Sequence, residues 1–215
     1  MLHTGQLTSN HEMLEIEILK KLNHPNILTY EDAGETVIDN KRYAYLITEF
    51  ISGETLSQKM SRDGLLNNLE AHDIVLEILK GVKHLHDNQI LHNEITNTNI
   101  MLDYSEDIPV PKLIDFGLAR YITQPIDQFD NQTQNPFYLP NEAFNKVFSV
   151  QSDIYAIGVL FYHIVEGLPP YFFDTSIVSK EQIEISIINA RNKALDFSEI
   201  SDQHIQNVIR IAINN

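Results

Sequence analysis

Between residues 10 and 22, apolar and charged positions alternate at helical spacing, with Met13, Ile16, Leu19 and Leu22 on one face, which predicts an amphipathic helix. Asn10 is placed to cap it, and "NHP" at 23–25 stops it. In "NILTYEDAGETVIDNKRYAYLITEF", two strand-like runs flank a polar turn at Asp39-Asn40. "ISGETLSQKM" reads as a glycine-containing loop entering a short helix. A longer helix is expected over 68–88, where Ile74, Ile78, Val82 and Leu85 share a face that Val75 and Leu79 widen. "NIML" and "PKLID" then predict a small hairpin with a long tip.

The next thirty residues, 116–145, are polar, rich in Gln and Asn, and without period. Segments of that length inside a compact domain are usually functional. The stretch "SDIYAIGVLFYHIVEG" is apolar nearly all round, so it predicts a helix inside the molecule rather than on its surface. Two more amphipathic helices are expected over 178–191 and 201–213. The order is helix, small antiparallel sheet, then a mainly helical body, an α+β arrangement.

Composition narrows the function classes. At 215 residues and 43% hydrophobic, the chain can bury a substantial core. Thirty acidic residues against fifteen basic ones leave a net charge of −15, which argues against nucleic acid and anionic membrane as partners and permits a basic protein. The absence of cysteine excludes disulfides, thiolate metal sites and cysteine nucleophiles, and suits a cytoplasmic setting. The longest apolar run, 154–165, is interrupted by His163 and is too short to span a bilayer. The start of the chain lacks the basic-then-apolar pattern of a signal peptide.

The candidate chemistry lies in "LHNEITNTNIML" and "LIDFG". The first places Glu94 two residues after His92, and Asn99 five residues further on; the second places Asp115 just after an apolar run. Alone, His-x-carboxylate is a weak signal. Together, Asn99 and Asp115 offer the oxygen ligands that hard Mg2+ takes, and Gly117 lets the backbone turn tightly after Asp115.

With these residues the chain resembles the eukaryotic-type protein kinase family. His92 to Asn99 fits the catalytic loop H-R-D-L-x-x-x-N, and Asp115-Phe116-Gly117 fits D-F-G. "EIEILKKLNHPNI" is similar to the family's αC helix and following turn, with Glu15 at the ion-pairing glutamate. "LITEFISGETL" resembles the hinge, "YLPNE" the A-P-E region with Glu142 retained, and "SDIYAIGVLFYHIVEGLPPY" the central αF helix.

The resemblance implies a protein kinase-like fold in a single domain over 1–215. An incomplete N-lobe and hinge (the αC helix and a small antiparallel sheet, 1–51) would sit on a mainly helical C-lobe, 52–215. It implies ATP-dependent phosphoryl transfer to serine or threonine of a protein, with Asn99 and Asp115 as Mg2+ ligands and Glu94 as the base. Thr48 would be gatekeeper, the backbone of Glu49 to Ile51 would meet adenine, and Met101 would lie beneath it. Leu19, Tyr30, His92 and Phe116 would form a stacked spine, and Asp153 would hold the catalytic loop.

Departures from the family pattern qualify these expectations. The fourteen residues before Glu15 carry one glycine and no lysine, so the phosphate lid and phosphate lysine have no counterpart in them, and the resemblance is to a kinase truncated at both ends. Glu94 stands where the family has Asp, Asn93 where it has Arg, and Thr96 where Ser/Thr kinases have Lys. Asn135 stands at the Thr expected to meet that Lys, and Pro140-Asn141 replaces Ala-Pro. At the other end no arginine is expected for Glu142. The alternatives are therefore an impaired kinase, a pseudokinase acting as a binding or scaffold module, and a related small-molecule kinase.

Overall fold

A computed structural model describes residues 2–6, 10–124, 134–175 and 179–214. Helix α1 (Asn10–Leu19) buries Ile16, Ile18 and Leu19, while Met13 remains 55% exposed. The helix ends three residues earlier than its periodicity predicts. The amides of Lys21 and Leu22 bond three residues back, to Ile18 and Leu19, and this tightened turn still buries Leu22.

Strands β2 (Tyr30–Ile38) and β3 (Lys41–Thr48) form the expected hairpin. Its two turn residues, Asp39 and Asn40, have φ of 51° and 61°, the left-handed pair that matches the twist of flanking strands. A third strand, β1 (Leu2–Gln6), pairs antiparallel with the other edge of β3, from Leu2 opposite Ile47 to Gln6 opposite Tyr43. The hydrophobic pattern does not reveal β1, because "LHTGQ" has a single large apolar residue.

Beyond the sheet, "ISGETL" is not a plain loop: β4 (Gly53–Thr55) precedes helix α2 (Leu56–Asp63). A Cβ on Gly53 would lie 1.8 Å from the Leu102 carbonyl oxygen, so only glycine lets these backbones meet. Thr55 and Gln58 form a reciprocal cap at the start of α2. Helix α3 (Asn68–Asp87) follows, capped by Asn67, and leads into β5 (Ile90–Leu91). The predicted hairpin is β6 (Ile100–Asp103) with β7 (Val110–Leu113), and β4 adds to β6 in the order β4-β6-β7. Strand β8 (Arg120–Tyr121) pairs with β5.

The long polar segment is not featureless. Besides β8 it forms two 3-10 turns, Pro136–Tyr138 and Asn141–Asn145; residues 125–133 lie outside the described residues. Helix α4 (Val150–Glu166) is buried on nearly every side, as its composition predicts. Helices α5 (Lys180–Ala190) and α6 (Gln203–Asn214) complete the body. Helix α6 crosses α4 at Gly158, where a Cβ would stand only 2.7 Å from Cβ of Ala212. One core joins α1, α3, α4 and the inner strands, with Leu19, Leu85, Phe116 and Leu160 all fully enclosed.

Candidate active site

The catalytic-loop stretch is held from below by one buried carboxylate. Asp153, in the first turn of α4 and 1% exposed, accepts the His92 amide on Oδ2 at 3.0 Å and the Asn93 amide on Oδ1 at 2.9 Å. His86 of α3 donates its Nε2–H to the same carboxylate at 2.8 Å. Three donors thus compensate a charge that would otherwise be expensive to bury. From above, the His92 ring packs on Phe116 with centroids 4.9 Å apart, both residues fully enclosed. Leu19 is enclosed in the same core and Tyr30 is packed against it half-buried, so the four predicted spine residues share that core.

Asn93, at φ 64°, turns the loop. Left-handed backbone is tolerated by asparagine better than by most side chains. Its Nδ2 donates to the Leu118 carbonyl at 2.9 Å and its own carbonyl accepts from Gln134 Nε2 at 2.6 Å. The residue at the family's arginine position is therefore occupied with backbone.

That turn presents Glu94. Asn99 spans the loop by donating Nδ2 to the Glu94 carbonyl at 3.0 Å. The Glu94 carboxyl is pushed up to about 7 by burial first and by the negative charge of Asp115 second, against a smaller pull from a hydrogen bond with Asn99. Asp115 itself is exposed, at φ 62°, with Oδ1 accepting the Gly117 amide at 3.2 Å. Burial of Phe116 on the far side of this turn directs the aspartate outward. Of the three residues singled out in the sequence, Glu94 is bonded by Asn99 and feels the charge of Asp115, so the three are neighbours in the fold.

The donor chemistry there fits a hard divalent cation. Asp115 offers an exposed carboxylate, Asn99 an amide oxygen, and a cation beside them would relieve the repulsion that raises Glu94. No three His, Cys, Asp or Glu side chains gather as a metal group among the described residues. A cation held by Asn99 and Asp115 would therefore complete its shell with phosphate and water oxygens, as Mg2+ commonly does.

The segment expected as the hinge is braced by an ion pair that no motif signals. Lys112 of β7 donates Nζ to both carboxylate oxygens of Glu49, at 2.9 and 2.7 Å, and the Thr29 amide adds a bond of 2.8 Å. Burial pulls the Glu49 carboxyl upward, but Lys112 and Thr29 overcome it, and it titrates below the ordinary carboxylate range. The Glu49 amide donates to the Thr29 carbonyl at 3.0 Å. Thr48, half-buried at the end of β3, donates weakly to the Glu49 carbonyl at 3.4 Å. Ile51 is buried, Phe50 next to it is 84% exposed, and Met101 is half-buried on β6.

A cleft beside Glu94 is walled by Thr96, Asn135, Tyr138, Leu139 and Pro140. Thr96 shares a hydroxyl hydrogen bond with Thr98 at 2.7 Å, and Asn135 Oδ1 accepts the Phe137 amide at 3.2 Å. The two substituted positions are thus each engaged locally. Tyr138 donates to Nδ1 of His163 at 2.6 Å, and burial pushes that histidine down to about 4, which keeps it a neutral acceptor. Glu142 is half-buried, and its charge acts on Arg191, an arginine outside the family motifs. His86, Lys112, His163 and Arg191 carry no local motif, since each acts across the fold on a residue at least 25 positions away.

A family profile for the protein kinase domain matches residues 3–212. Among curated proteins the chain is 35% identical over 164 residues to death-associated protein kinase 2 of Mus musculus, covering 75% of this chain and 43% of that protein. It is 30% identical over 171 residues to myosin light chain kinase A of Dictyostelium discoideum, covering 79% and 56%. It is 31% identical over 182 residues to a probable serine/threonine-protein kinase, PknB, of Lactococcus lactis, covering 80% and 28%. The matched region thus spans between 28% and 56% of these relatives. With its profile match running nearly end to end and its motif residues neighbours in the fold, the chain belongs to the protein kinase family.

Proposed function

We propose that this domain transfers the γ-phosphate of Mg·ATP to a serine or threonine hydroxyl of a protein. The observation that carries the proposal is the Asp153-anchored loop, which presents Glu94 beside Asn99 and Asp115. Asn99 and Asp115 would hold Mg2+, the Glu49 carbonyl and Ile51 amide would face adenine, Met101 would support its lower face, and Thr48 would close its rear. Bound Mg2+ neutralises charge on the phosphate oxygens. Glu94, once ionised, takes the proton as the hydroxyl oxygen bonds to phosphorus and ADP leaves with the former bridging oxygen. Because Glu94 is one methylene longer than Asp, its contribution depends on where the loop places it, and a misplacement of about 1 Å costs on the order of a hundredfold in rate.

In this reading the chain divides at the hinge into a small lobe, 1–51, and a helical lobe, 52–215, and acts in the cytoplasm on a protein substrate. No helix among the described residues is long and apolar enough to cross a membrane. The serine/threonine preference draws support from the kinase relatives, one of which is named as a serine/threonine kinase.

A second reading, a binding module, is favoured by β1. This strand lies immediately before α1 and pairs with β3, and "LHTGQ" contains no lysine to meet nucleotide phosphates. Titration of ATP with and without Mg2+ separates the readings. Binding that requires Mg2+, fails in Asp115→Ala and survives in Glu94→Gln supports the nucleotide site. Absence of binding to the wild type rejects it in favour of the module.

A further inference from the structure

The wall of the cleft beside Glu94 is gripped from behind by a side chain that belongs to no motif. Arg191 sits at the C-terminal end of α5, half-buried. It donates through Nη2 to the Leu139 carbonyl and through Nη1 to Oδ1 of Asn141. Its guanidinium carbon lies 5.1 Å from the ring centre of Tyr155 and 5.6 Å from that of Phe144, so two aromatic rings fix its position. Burial pulls its pKa below the ordinary guanidinium range, with Tyr155, Tyr171 and Glu142 acting in the opposite direction.

Among the described residues no carboxylate comes within ion-pair distance of Arg191. A half-buried cation thus bonds one backbone carbonyl and one side-chain amide. Both acceptors bracket Pro140, and Leu139 and Pro140 line the cleft that Glu94 also lines. Asn141 also gives the departure from Ala-Pro a physical role: proline at that position would have no side-chain oxygen for Nη1 to reach.

We propose that Arg191 is a positioning residue for the hydroxyl-bearing protein substrate, fixing the Leu139-Pro140 wall through the Leu139 carbonyl and the Asn141 side chain. This assignment rests on the kinase reading above.

The test compares wild type, Arg191→Lys, Arg191→Met and Asn141→Ala in steady-state phosphorylation of a serine-containing peptide, with ATP varied separately. Arg191→Met is expected to raise peptide KM about tenfold while ATP KM stays within about twofold. Arg191→Lys, which can reach one acceptor, falls between Met and wild type. Asn141→Ala, which leaves the Leu139 bond in place, moves in the same direction by less. Peptide KM that does not change, or peptide and ATP KM that rise together with a fall in Tm, overturns the assignment. If the wild type transfers no phosphate, the kinase reading fails instead. The clamp is then judged by amide exchange in the full chain: faster exchange over 138–147 with unchanged exchange over 91–103 in Arg191→Met sustains it, and unchanged exchange over 138–147 overturns it.

Discussion

Glu94 makes the chain pay for ionising a carboxyl in the folded state, and that penalty is measurable without any substrate. Its carboxyl ordinarily titrates at 4.5 and is pushed up to about 7 here, chiefly by burial. Between those values the unfolded chain has released a proton that the folded chain retains, so stability from this group falls as pH rises. At about 1.4 kcal/mol per pH unit the full interval corresponds to about 3 kcal/mol. The group is only half-buried, and solvent screening reduces that to about 1–2 kcal/mol. Glu94→Gln removes the titration, so its stability relative to wild type should climb by that amount between pH 4.5 and 8. Urea unfolding in Mg2+-free buffer across that range reads the difference directly, because other titrating groups largely cancel. Asp115→Asn, which removes the second cause of the shift, should reduce the climb. A stability difference that stays flat with pH, or declines, refutes the reasoning.

Three further outcomes follow from contacts elsewhere. Asp153→Ala leaves the His92 and Asn93 amides without their acceptor and should cost about 3–5 kcal/mol in urea unfolding; a loss under about 1 kcal/mol would show that the loop is held by other means. Lys112→Met strands the Glu49 carboxylate and should cost about 2–3 kcal/mol, with much of that recovered in Lys112→Met/Glu49→Met by the same measurement, whereas additive losses would contradict a paired origin. Gly53→Ala forces a methyl against the Leu102 carbonyl and should cost about 3 kcal/mol or more, so a near-native Tm would mean that β4 can move aside.

Periodicity revealed the elements that bury a regular face. The face of α3 built on Ile74, Ile78, Val82 and Leu85 is buried, and α4 is enclosed nearly all round. Where pairing rather than apolar content makes the element, the pattern was silent: β1 and β4 are short, polar segments completed by β3 and β6. Glu94, Asn99 and Asp115 were legible because spacing within two short motifs carries them. The supports of that site were not. His86 reaches Asp153 across 67 positions and Lys112 reaches Glu49 across 63, distances over which one sequence contains no pairing signal. The upward push on Glu94 has no sequence signature either, since burial and the nearness of Asp115 are properties of the folded chain.

The most direct test of the account is single-turnover transfer of the γ-phosphate from Mg·ATP to serine or threonine of a protein substrate, measured from pH 6 to 8 for wild type, Asp115→Ala and Glu94→Gln. The account predicts transfer by the wild type that rises with pH as Glu94 ionises, its loss in Asp115→Ala, and a flattened, slower profile in Glu94→Gln. No transfer by the wild type, or equal transfer by Asp115→Ala, would contradict it.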